Sequence, residues 1–243
     1  MTPTAMRTNA PRLPDALAAR LRDRIMAGDL RPGDHLHLER LAEELGVSVT
    51  PVREALLALR GDGFVTLEPR RGFTVAPLDC QDFEDAHRLQ AVIGGELAAR
   101  AASRISAAQL AELAALHEEM QLSSPFVLVD VGELVTRFHT TVSRVAESPK
   151  LAWFLDVARR YTPHTVLSDL PDWREIAVAD HHAVLSALQH RDPVAARVGM
   201  QRHVVRTGEL LIRHLQQRGL WPEPENPPLP GRSASHPEQR GGR

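Results

Sequence analysis

Three histidines in the second half of the chain have the spacing of metal ligands. His139, His181 and His203 each lie on the apolar side of a segment with helical periodicity. His181 precedes Asp192 by 11 residues and His203 follows it by 11, and Asp192 lies in a predicted turn between two helices. The two rings should therefore face each other at one level. With His139 from a third helix, they would form a site for zinc or a similar divalent ion with one position open.

A second group of side chains, in the first third of the chain, has hydrogen-bond donors at the start of a helix. The sequence predicts a helix over 38–45 that ends at Gly46, and a second helix that begins after Ser48 or Thr50. The inward face of the second helix consists of Val52, Ala55, Leu56 and Leu59. Thr50 and Arg53 are left on the outer side, where their donors suit phosphate oxygens and base edges in a DNA major groove.

The residues after these two helices predict a β-hairpin. Two short β-prone runs within 63–76 flank the turn-forming sequence Glu68-Pro69-Arg70-Arg71-Gly72. The tip of the hairpin would carry Arg70, Arg71 and Gly72. Such a hairpin beside a helix-turn-helix is typical of a wing that contacts the adjacent DNA backbone or minor groove.

The remainder of the chain is predicted to be helical. Ser106 and Gln109 form a capping box, and Asp192 with Pro193 supplies an N-cap followed by a proline in the first turn. The predicted helices span residues 80–102, 106–122, 125–147, 149–161, 173–190 and 193–217. In the first of them, Gly94 and Gly95 would permit a close approach by another helix or a ligand, or are simply a tolerated defect.

The expected fold is therefore mainly α, with an N-terminal winged helix-turn-helix that includes a small β-hairpin and a C-terminal all-α helical bundle. A bundle of this size after a DNA-reading module suggests a domain for ligand binding and dimerisation. The expected divisions are a flexible N-terminus (1–12), the winged helix-turn-helix (13–77), a linker (78–81), the helical domain (82–218) and a disordered tail (219–243) rich in proline, glycine and charge.

The composition excludes several other classes of protein. The chain has 243 residues, a net charge of −2 and one cysteine, Cys80, so neither an intramolecular disulfide framework nor a thiolate metal cluster can form. It has no uninterrupted run of about 18 apolar residues, which argues against a membrane span. The polar, proline-interrupted N-terminus lacks the apolar segment of a secretory signal, so a cytoplasmic location is expected.

The N-terminal part resembles the GntR family of bacterial transcription regulators. The resemblance runs from about Leu13 to Pro77 and includes the motifs Leu30-Arg31-Pro32-Gly33, Leu45-Gly46-Val47-Ser48, Thr50-Pro51-Val52-Arg53-Glu54-Ala55-Leu56 and Arg71-Gly72-Phe73-Thr74-Val75. Family members commonly have an arginine where this chain has Val49, which could instead contact a thymine methyl group. The resemblance implies DNA-binding roles for Ser48, Val49, Thr50, Arg53, Arg70, Arg71 and Gly72.

The C-terminal part resembles the FCD domain, the helical effector domain of the FadR-like branch of that family. The matching features are Arg88, Phe138-His139, Ser148-Pro149, His181 to Leu188 and Asp192 to His203. The resemblance implies a metal site at His139, His181 and His203. Metal-binding members add an Asp or Asn at the position of Val135, so the carboxylate is missing here. Arg88 is implied to clamp an organic-acid effector, or it pairs with an acidic neighbour.

The leading functional hypothesis is a transcription regulator, most simply a repressor. It would be a homodimer that reads half-sites of a roughly palindromic operator and responds to a small carboxylate effector. One alternative is a metal-sensing repressor, in which the ion itself is the effector. Another is a three-histidine metal-dependent hydrolase. The hydrolase is disfavoured because the sequence has no HExxH, GxSxG or phosphate-loop motif and the winged helix would be unexplained.

Overall fold

The computed structural model describes residues 12–123, 130–162, 166–167, 170 and 172–221. In the N-terminal part the elements are α1 (Leu13–Met26), β1 (His35–Leu36), α2 (Leu38–Leu45), α3 (Val49–Gly61), β2 (Val65–Glu68) and β3 (Gly72–Val75). In the C-terminal part they are α4 (Cys80–Arg104), α5 (Ala107–Leu122), α6 (Val131–Val145), α7 (Pro149–Ala158), a 3₁₀ turn (Arg159–Tyr161), α8 (Trp173–Gln189) and α9 (Pro193–Gln217). The predicted fold class is confirmed.

The helix-turn-helix forms as its turn residues predict. Gly46 ends α2 in the left-handed conformation, with φ of 69°, and its N–H donates to carbonyls of the last turn. Ser48 is the extended N-cap residue of α3. The inward side of α3 is fully buried, at 0% exposure for Val52, Ala55, Leu56 and Leu59. The apolar stripe therefore fixes the rotation of α3 and leaves its polar side in solvent.

The predicted hairpin is present and belongs to a three-stranded antiparallel sheet. Strands β2 and β3 pair with Val65 opposite Val75, and β1 pairs with the other edge of β3. At the tip, Arg70 and Gly72 both have positive φ, 68° and 81°. The sequence did not reveal β1, because two residues are too few to show an alternating pattern.

Helices α4 and α9 form the central pair of the C-terminal bundle, and small residues let them approach closely. A Cβ atom at Gly95 would lie 2.7 Å from the Gln201 side chain, and one at Gly208 would lie 2.6 Å from the His87 ring. A Cβ at Gly94 would lie 3.4 Å from Met200. Of the two readings of Gly94-Gly95, close helix packing is the one that the structure supports.

Several predicted boundaries need correction. The helix predicted over 125–147 begins at Val131, because Asp130 is a non-helical N-cap that accepts hydrogen bonds from the first turn; residues 124–129 lie outside the described part. The helix predicted over 149–161 is α-helical only to Ala158. The 78–81 linker is shorter than expected, because Asp79 caps α4 through a capping box and the helix starts at Cys80.

The first residues of the expected C-terminal tail are part of the fold. Trp221 is 9% exposed. Its ring packs against Phe83 with ring centroids 5.0 Å apart, and its Nε1–H donates to the Leu78 carbonyl at 2.7 Å. The tail was predicted from its composition, which does not show that one tryptophan has a partner elsewhere. Residues 222–243, like residues 1–11, lie outside the described part of the chain.

Aromatic side chains join the N- and C-terminal parts into one apolar core. Phe64 packs on Tyr161 with ring centroids 4.7 Å apart, and Tyr161 meets Phe83 edge to face at 6.2 Å. Among the described helices, none combines the length and the apolar character that crossing a lipid bilayer requires.

Candidate functional site

The polar side of α3 is open to solvent at the N-terminal end of the helix. Ser48, Thr50 and Arg53 are exposed, whereas Val49 is partly buried and packs against the core. Arg53 forms no ion pair with any residue that the structure describes. The first turn of α3 thus combines free backbone N–H groups, a hydroxyl and an unpaired guanidinium, which are the groups that bind phosphate oxygens and base edges.

The hairpin tip is equally accessible. Arg70, Arg71 and Gly72 are all exposed. Arg71 has an ion pair with Glu68 at 3.5 Å, but the two side chains are 73% and 48% exposed. Because exposed pairs of this kind contribute little free energy, Arg71 can exchange Glu68 for a phosphate at small cost.

The three predicted histidines meet inside the helical bundle. His139 comes from α6, His181 from α8 and His203 from α9, and all three are buried. The Nε2 atom of His139 lies 3.2 Å from Nε2 of His203 and 3.1 Å from Nε2 of His181. One ligand nitrogen from each ring lies within 4.8 Å of the others. The rings of His181 and His203 thus lie on one level, as their spacing about Asp192 predicts, and that the three histidines bind a metal stays a prediction.

The donor set fits a divalent metal ion. Nitrogen ligands of tetrahedral zinc lie at about 2.0–2.1 Å from the ion and so roughly 3.3 Å from one another, close to the separations of the Nε2 atoms. Burial, followed by the charge of His203, lowers the pKa of His181 well below its usual value, which keeps the imidazole neutral, as a metal ligand must be. Val135, where the resemblance implies an Asp or Asn ligand in metal-binding members, is buried and offers no ligand atom.

Asp180 is a fourth member of this group that sequence reasoning missed. It is fully buried at 0% exposure, and its Oδ2 atom lies 3.9 Å from Nδ1 of His203. Its Oδ1 atom accepts from Arg206 at 3.0 Å and faces Arg202 at 3.1 Å. Burial alone raises the pKa of Asp180, but His203 and the two arginines outweigh burial and lower it. The signal was an aspartate on the same buried helix as His181, immediately before it.

A small cavity lies beside the histidines and is lined by further buried polar groups. Its volume is about 50 Å³. His139 and His203 line it together with the polar side chains His87, Gln90, Arg159, Thr162 and Thr207. The hydroxyl of Thr207 is buried and has no hydrogen-bond partner among the described residues. An unsatisfied buried hydroxyl is costly, so this wall is suited to a polar ligand.

Arg159 is the cation of this cavity, and the sequence did not single it out. Its side chain is 20% exposed and its ion-pair contact, to Asp156, is long at 4.0 Å. Burial lowers the pKa of Arg159, and the charge of Asp156 offsets this only in part. A half-satisfied guanidinium in a cavity is a natural partner for a carboxylate. Two consecutive arginines after a helix gave no signal that the first one points inward.

Arg88 is not brought together with the histidines. It lies on the exposed side of α4, where its side chain is 68% exposed and pairs with Glu84 at 3.3 Å and with Asp85 at 3.2 Å. It lines a separate groove between α4 and α9 that also contains Glu209 and Arg213. The geometry therefore matches the alternative of pairing with acidic neighbours.

Comparison with known proteins identifies both halves of the chain. Residues 13–75 match the family of bacterial regulatory proteins called gntR, and residues 85–206 match the FCD domain. An uncharacterized HTH-type transcriptional regulator of Mycobacterium tuberculosis is 26% identical over 229 residues, which covers 91% of this chain and 93% of that protein. The HTH-type transcriptional repressor RspR of Escherichia coli is 28% identical over 196 residues, covering 79% of this chain and 86% of RspR.

Solved structures show the same fold. E. coli McbR/YncC superimposes with a TM-score of 0.64 at 24% identity, covering 84% of this chain and 99% of that one. The Listeria monocytogenes regulator Lar gives a TM-score of 0.58 at 21% identity, covering 85% and 99%. Together with the exposed polar face of α3 and the family matches over both halves, these similarities show that the chain is a DNA-binding transcription regulator of the GntR family with a C-terminal FCD domain.

Proposed function

We propose that this regulator binds its operator as a homodimer and that a small carboxylate effector, held at a metal ion in the histidine cavity, controls operator affinity. One observation carries the effector half of the proposal. Three imidazole Nε2 atoms converge, and two of the rings, those of His139 and His203, line a cavity that Arg159 also lines. Metal ligands and a poorly paired cation in one cavity are complementary to a carboxylate ligand.

On the DNA side, α3 is the recognition helix. Ser48, Thr50 and Arg53 contact phosphates and base edges in the major groove, and the exposed part of Val49 contacts a thymine methyl. Arg70, Arg71 and Gly72 contact the neighbouring backbone or minor groove. Each protomer reads one half-site, so a homodimer requires a roughly palindromic operator. Access to operator DNA requires a cytoplasmic location.

On the effector side, His139, His181 and His203 hold zinc or a similar divalent ion. The ion supplies a positive charge and an open coordination position for a ligand oxygen. Oδ2 of Asp180 lies 3.9 Å from Nδ1 of His203, and a carboxylate on that side of the ring favours the orientation in which Nε2 faces the other two rings. Arg159 binds the carboxylate from another wall of the cavity. Arg88 remains a second candidate anchor, for a ligand in the exposed groove.

A metal-sensing repressor is the second candidate, and the size of the cavity favours it. A volume of about 50 Å³ accommodates an ion with a few waters, whereas an organic acid of several carbons fits only if the walls move apart. In that case the ion itself shifts operator affinity. RspR is described as a repressor, which supports repression rather than activation here.

The hydrolase alternative is set aside, because the chain belongs to a family of regulators rather than enzymes.

The experiment has two stages on the full-length protein. First, duplexes retained from a random library define the operator, and gel-shift titrations give its dissociation constant with zinc and with EDTA. Second, a panel of organic acids, sugar acids and amino acids is scored by thermal shift with zinc present, since a specific ligand stabilises the folded state. Arg159→Gln should abolish the thermal shift of a carboxylate hit, whereas the exposed Arg144→Gln should retain it.

The outcomes separate the candidates. A change in operator affinity with zinc alone identifies a metal sensor. A change that needs a carboxylate as well identifies the effector model. If no carboxylate shifts the melting temperature and zinc alters neither stability nor operator binding, the proposed effector site is wrong while the DNA-binding assignment stands.

A further inference from the structure

The 3₁₀ turn Arg159–Tyr161 touches both candidate sites. Arg159 lines the histidine cavity, whereas Arg160 and Tyr161 bind Asp62, the residue that ends the recognition helix α3. The three consecutive side chains of one short turn thus connect the effector cavity to the helix that reads DNA. The regulatory role proposed for the cavity does not by itself require this connection.

Asp62 joins the N-terminal part of the chain to the 3₁₀ turn. Its side chain is only 8% exposed and pairs with Arg22 of α1 at 3.3 Å and with Arg160. Its backbone carbonyl accepts a hydrogen bond from the Tyr161 hydroxyl at 2.7 Å. A buried carboxylate that loses a cationic partner is strongly destabilised. A displacement of Arg160 therefore acts directly on the C-terminal end of α3.

Close packing around residues 62–64 also restricts the position of the Tyr161 side chain. Gly63 has a φ of 85°, and a Cβ atom there would lie 3.0 Å from the Tyr161 hydroxyl. The Tyr161 ring packs on Phe64, with ring centroids 4.7 Å apart. The backbone at 62–64 thus follows Tyr161 closely, with little space for the ring to move independently.

The other side of the turn is tied to the cavity wall through α4. The Gln90 side-chain amide donates to the Ala158 carbonyl at 3.1 Å and to the Thr162 hydroxyl at 3.0 Å. That hydroxyl also lies 3.2 Å from Nε2 of His87. Ala158 and Thr162 flank the turn, so Gln90 fixes both of its ends. Gln90, His87 and Thr162 all line the cavity.

The cavity is so small, at about 50 Å³, that a ligand of several carbons must move its walls. A short 3₁₀ turn has poorer hydrogen-bond geometry than an α-helix and is a common hinge. The residues that flank the turn, Ala158 and Thr162, are held by side-chain hydrogen bonds from Gln90, which a polar ligand can replace.

We propose that the 3₁₀ turn couples the histidine cavity to the recognition helix, with Arg160 and Tyr161 as the positioning residues. A ligand that binds Arg159 and competes with Gln90 for Thr162 releases one end of the turn from α4, the turn moves, and Asp62 carries the movement to the end of α3. As a mechanism of regulation by the cavity, this inference rests on the proposed function. The coupling itself is a property of the free protein and can be measured without ligand or DNA.

The test substitutes a residue that lines the cavity and measures the effect at the C-terminal end of α3. Thr162→Val keeps the shape of the side chain but removes the hydroxyl that binds Gln90 and His87. Hydrogen exchange is followed by mass spectrometry on the full-length protein over 59–65, where the Gly63 and Phe64 N–H groups donate to the carbonyls of Arg60 and Leu59. We expect Thr162→Val to accelerate exchange there by about fivefold or more, the lower end of usual coupling energies.

Thr162→Val is then introduced into a variant that lacks the contacts between the turn and Asp62. In an Arg160→Gln/Tyr161→Phe background, Thr162→Val should alter exchange over 59–65 by less than about twofold. If the double variant is not folded by circular dichroism, Tyr161→Phe alone serves as the background, since it removes only the hydrogen bond to Asp62. Arg144→Gln, which breaks an exposed ion pair with Glu112, is the control and should retain the full response.

An equal response in both backgrounds, or no response in either, overturns the coupling. Operator titrations on the same variants then separate the two proposals. Exchange coupling without any operator or zinc response leaves the turn mechanism in place and contradicts the proposed effector control. If zinc or a carboxylate still alters operator affinity in the Arg160→Gln/Tyr161→Phe variant, the proposed effector control is supported and the turn mechanism is contradicted.

Discussion

The two candidate sites use polar side chains in opposite environments. At the start of α3, Thr50 and Arg53 are exposed, and their donors face solvent. In the bundle, His181 and Asp180 are both at 0% exposure, and their polar atoms depend on partners within the protein or on a ligand. An exposed site suits contact with another macromolecule, whereas a buried site has room only for something small.

This difference predicts how substitutions should behave. A change on the exposed side of α3 removes contacts that exist only in the complex with DNA, so it should alter affinity and leave stability unchanged. A change in the histidine group removes partners that the folded protein itself uses, so it should alter both ligand binding and stability. The predictions below test that distinction, from the largest expected effect to the smallest.

The largest effect is expected from His181→Ala combined with His203→Ala. Loss of two of three imidazole ligands should reduce bound zinc from about one ion per chain to almost none, measured by elemental analysis after dialysis. The matched control is His182→Ala, which removes the exposed histidine next to His181 and should retain the ion. Zinc that stays bound to the double variant would place the site elsewhere.

Arg53→Ala should weaken operator binding by about 1–3 kcal/mol, or roughly 5- to 150-fold, because a bidentate arginine contact is lost. The melting temperature should not change, since Arg53 has no ion-pair partner among the described residues. Arg60→Ala, two turns along the same helix, is the control. It should weaken all duplexes more evenly and to a smaller extent. Gel-shift titration against the operator and a scrambled duplex distinguishes the two effects.

Asp180→Asn should lower zinc affinity by about 10- to 100-fold, the usual cost of losing the carboxylate that orients a ligating histidine. A competition titration with a chromogenic chelator measures it. Arg202→Gln is the control, because it removes a partner of Asp180 without removing the carboxylate that faces His203. Equal affinities for Asp180→Asn and the unmodified protein would show that Asp180 serves only the arginines.

The smallest effect concerns His117, a buried histidine outside the metal group. Neither of its ring nitrogens has a hydrogen-bond partner within the described part of the chain, and burial, followed by the nearby His182, lowers its pKa. The unfolded chain therefore takes up a proton near pH 6.5, while the folded chain does so only at lower pH. Stability should fall as the pH drops from 7.5 to 5.5.

His117→Leu should reduce that pH dependence. At pH 7.5 it should change the free energy of unfolding by no more than about 1 kcal/mol, because an apolar side chain in place of an unsatisfied polar one is nearly neutral. Thermal unfolding of both proteins in EDTA at the two pH values measures the slope. An unchanged slope would mean that other groups account for the acid sensitivity.

Local sequence signals were sufficient for the helix-turn-helix and the hairpin, and for the proximity of His181 and His203. Gly46, Ser48 and the apolar stripe of α3 determine a helix-turn-helix because each acts within a few residues. The equal spacing of His181 and His203 about Asp192 was also enough, since two helices joined by a tight turn have a fixed register. These features depend on turn residues, apolar periodicity and residue spacing, which can be read directly from the sequence.

The tertiary structure decided which polar groups share a cavity and which elements connect the two halves. Arg159 and Arg88 both belong to predicted helices, yet one lines the cavity and the other faces solvent, because the packing of whole helices determines which side is covered. Asp180 lies at the histidine group and Trp221 lies on Phe83 for the same reason. Contacts between residues distant in the chain depend on how elements fit together in space, which periodicity along one element cannot state.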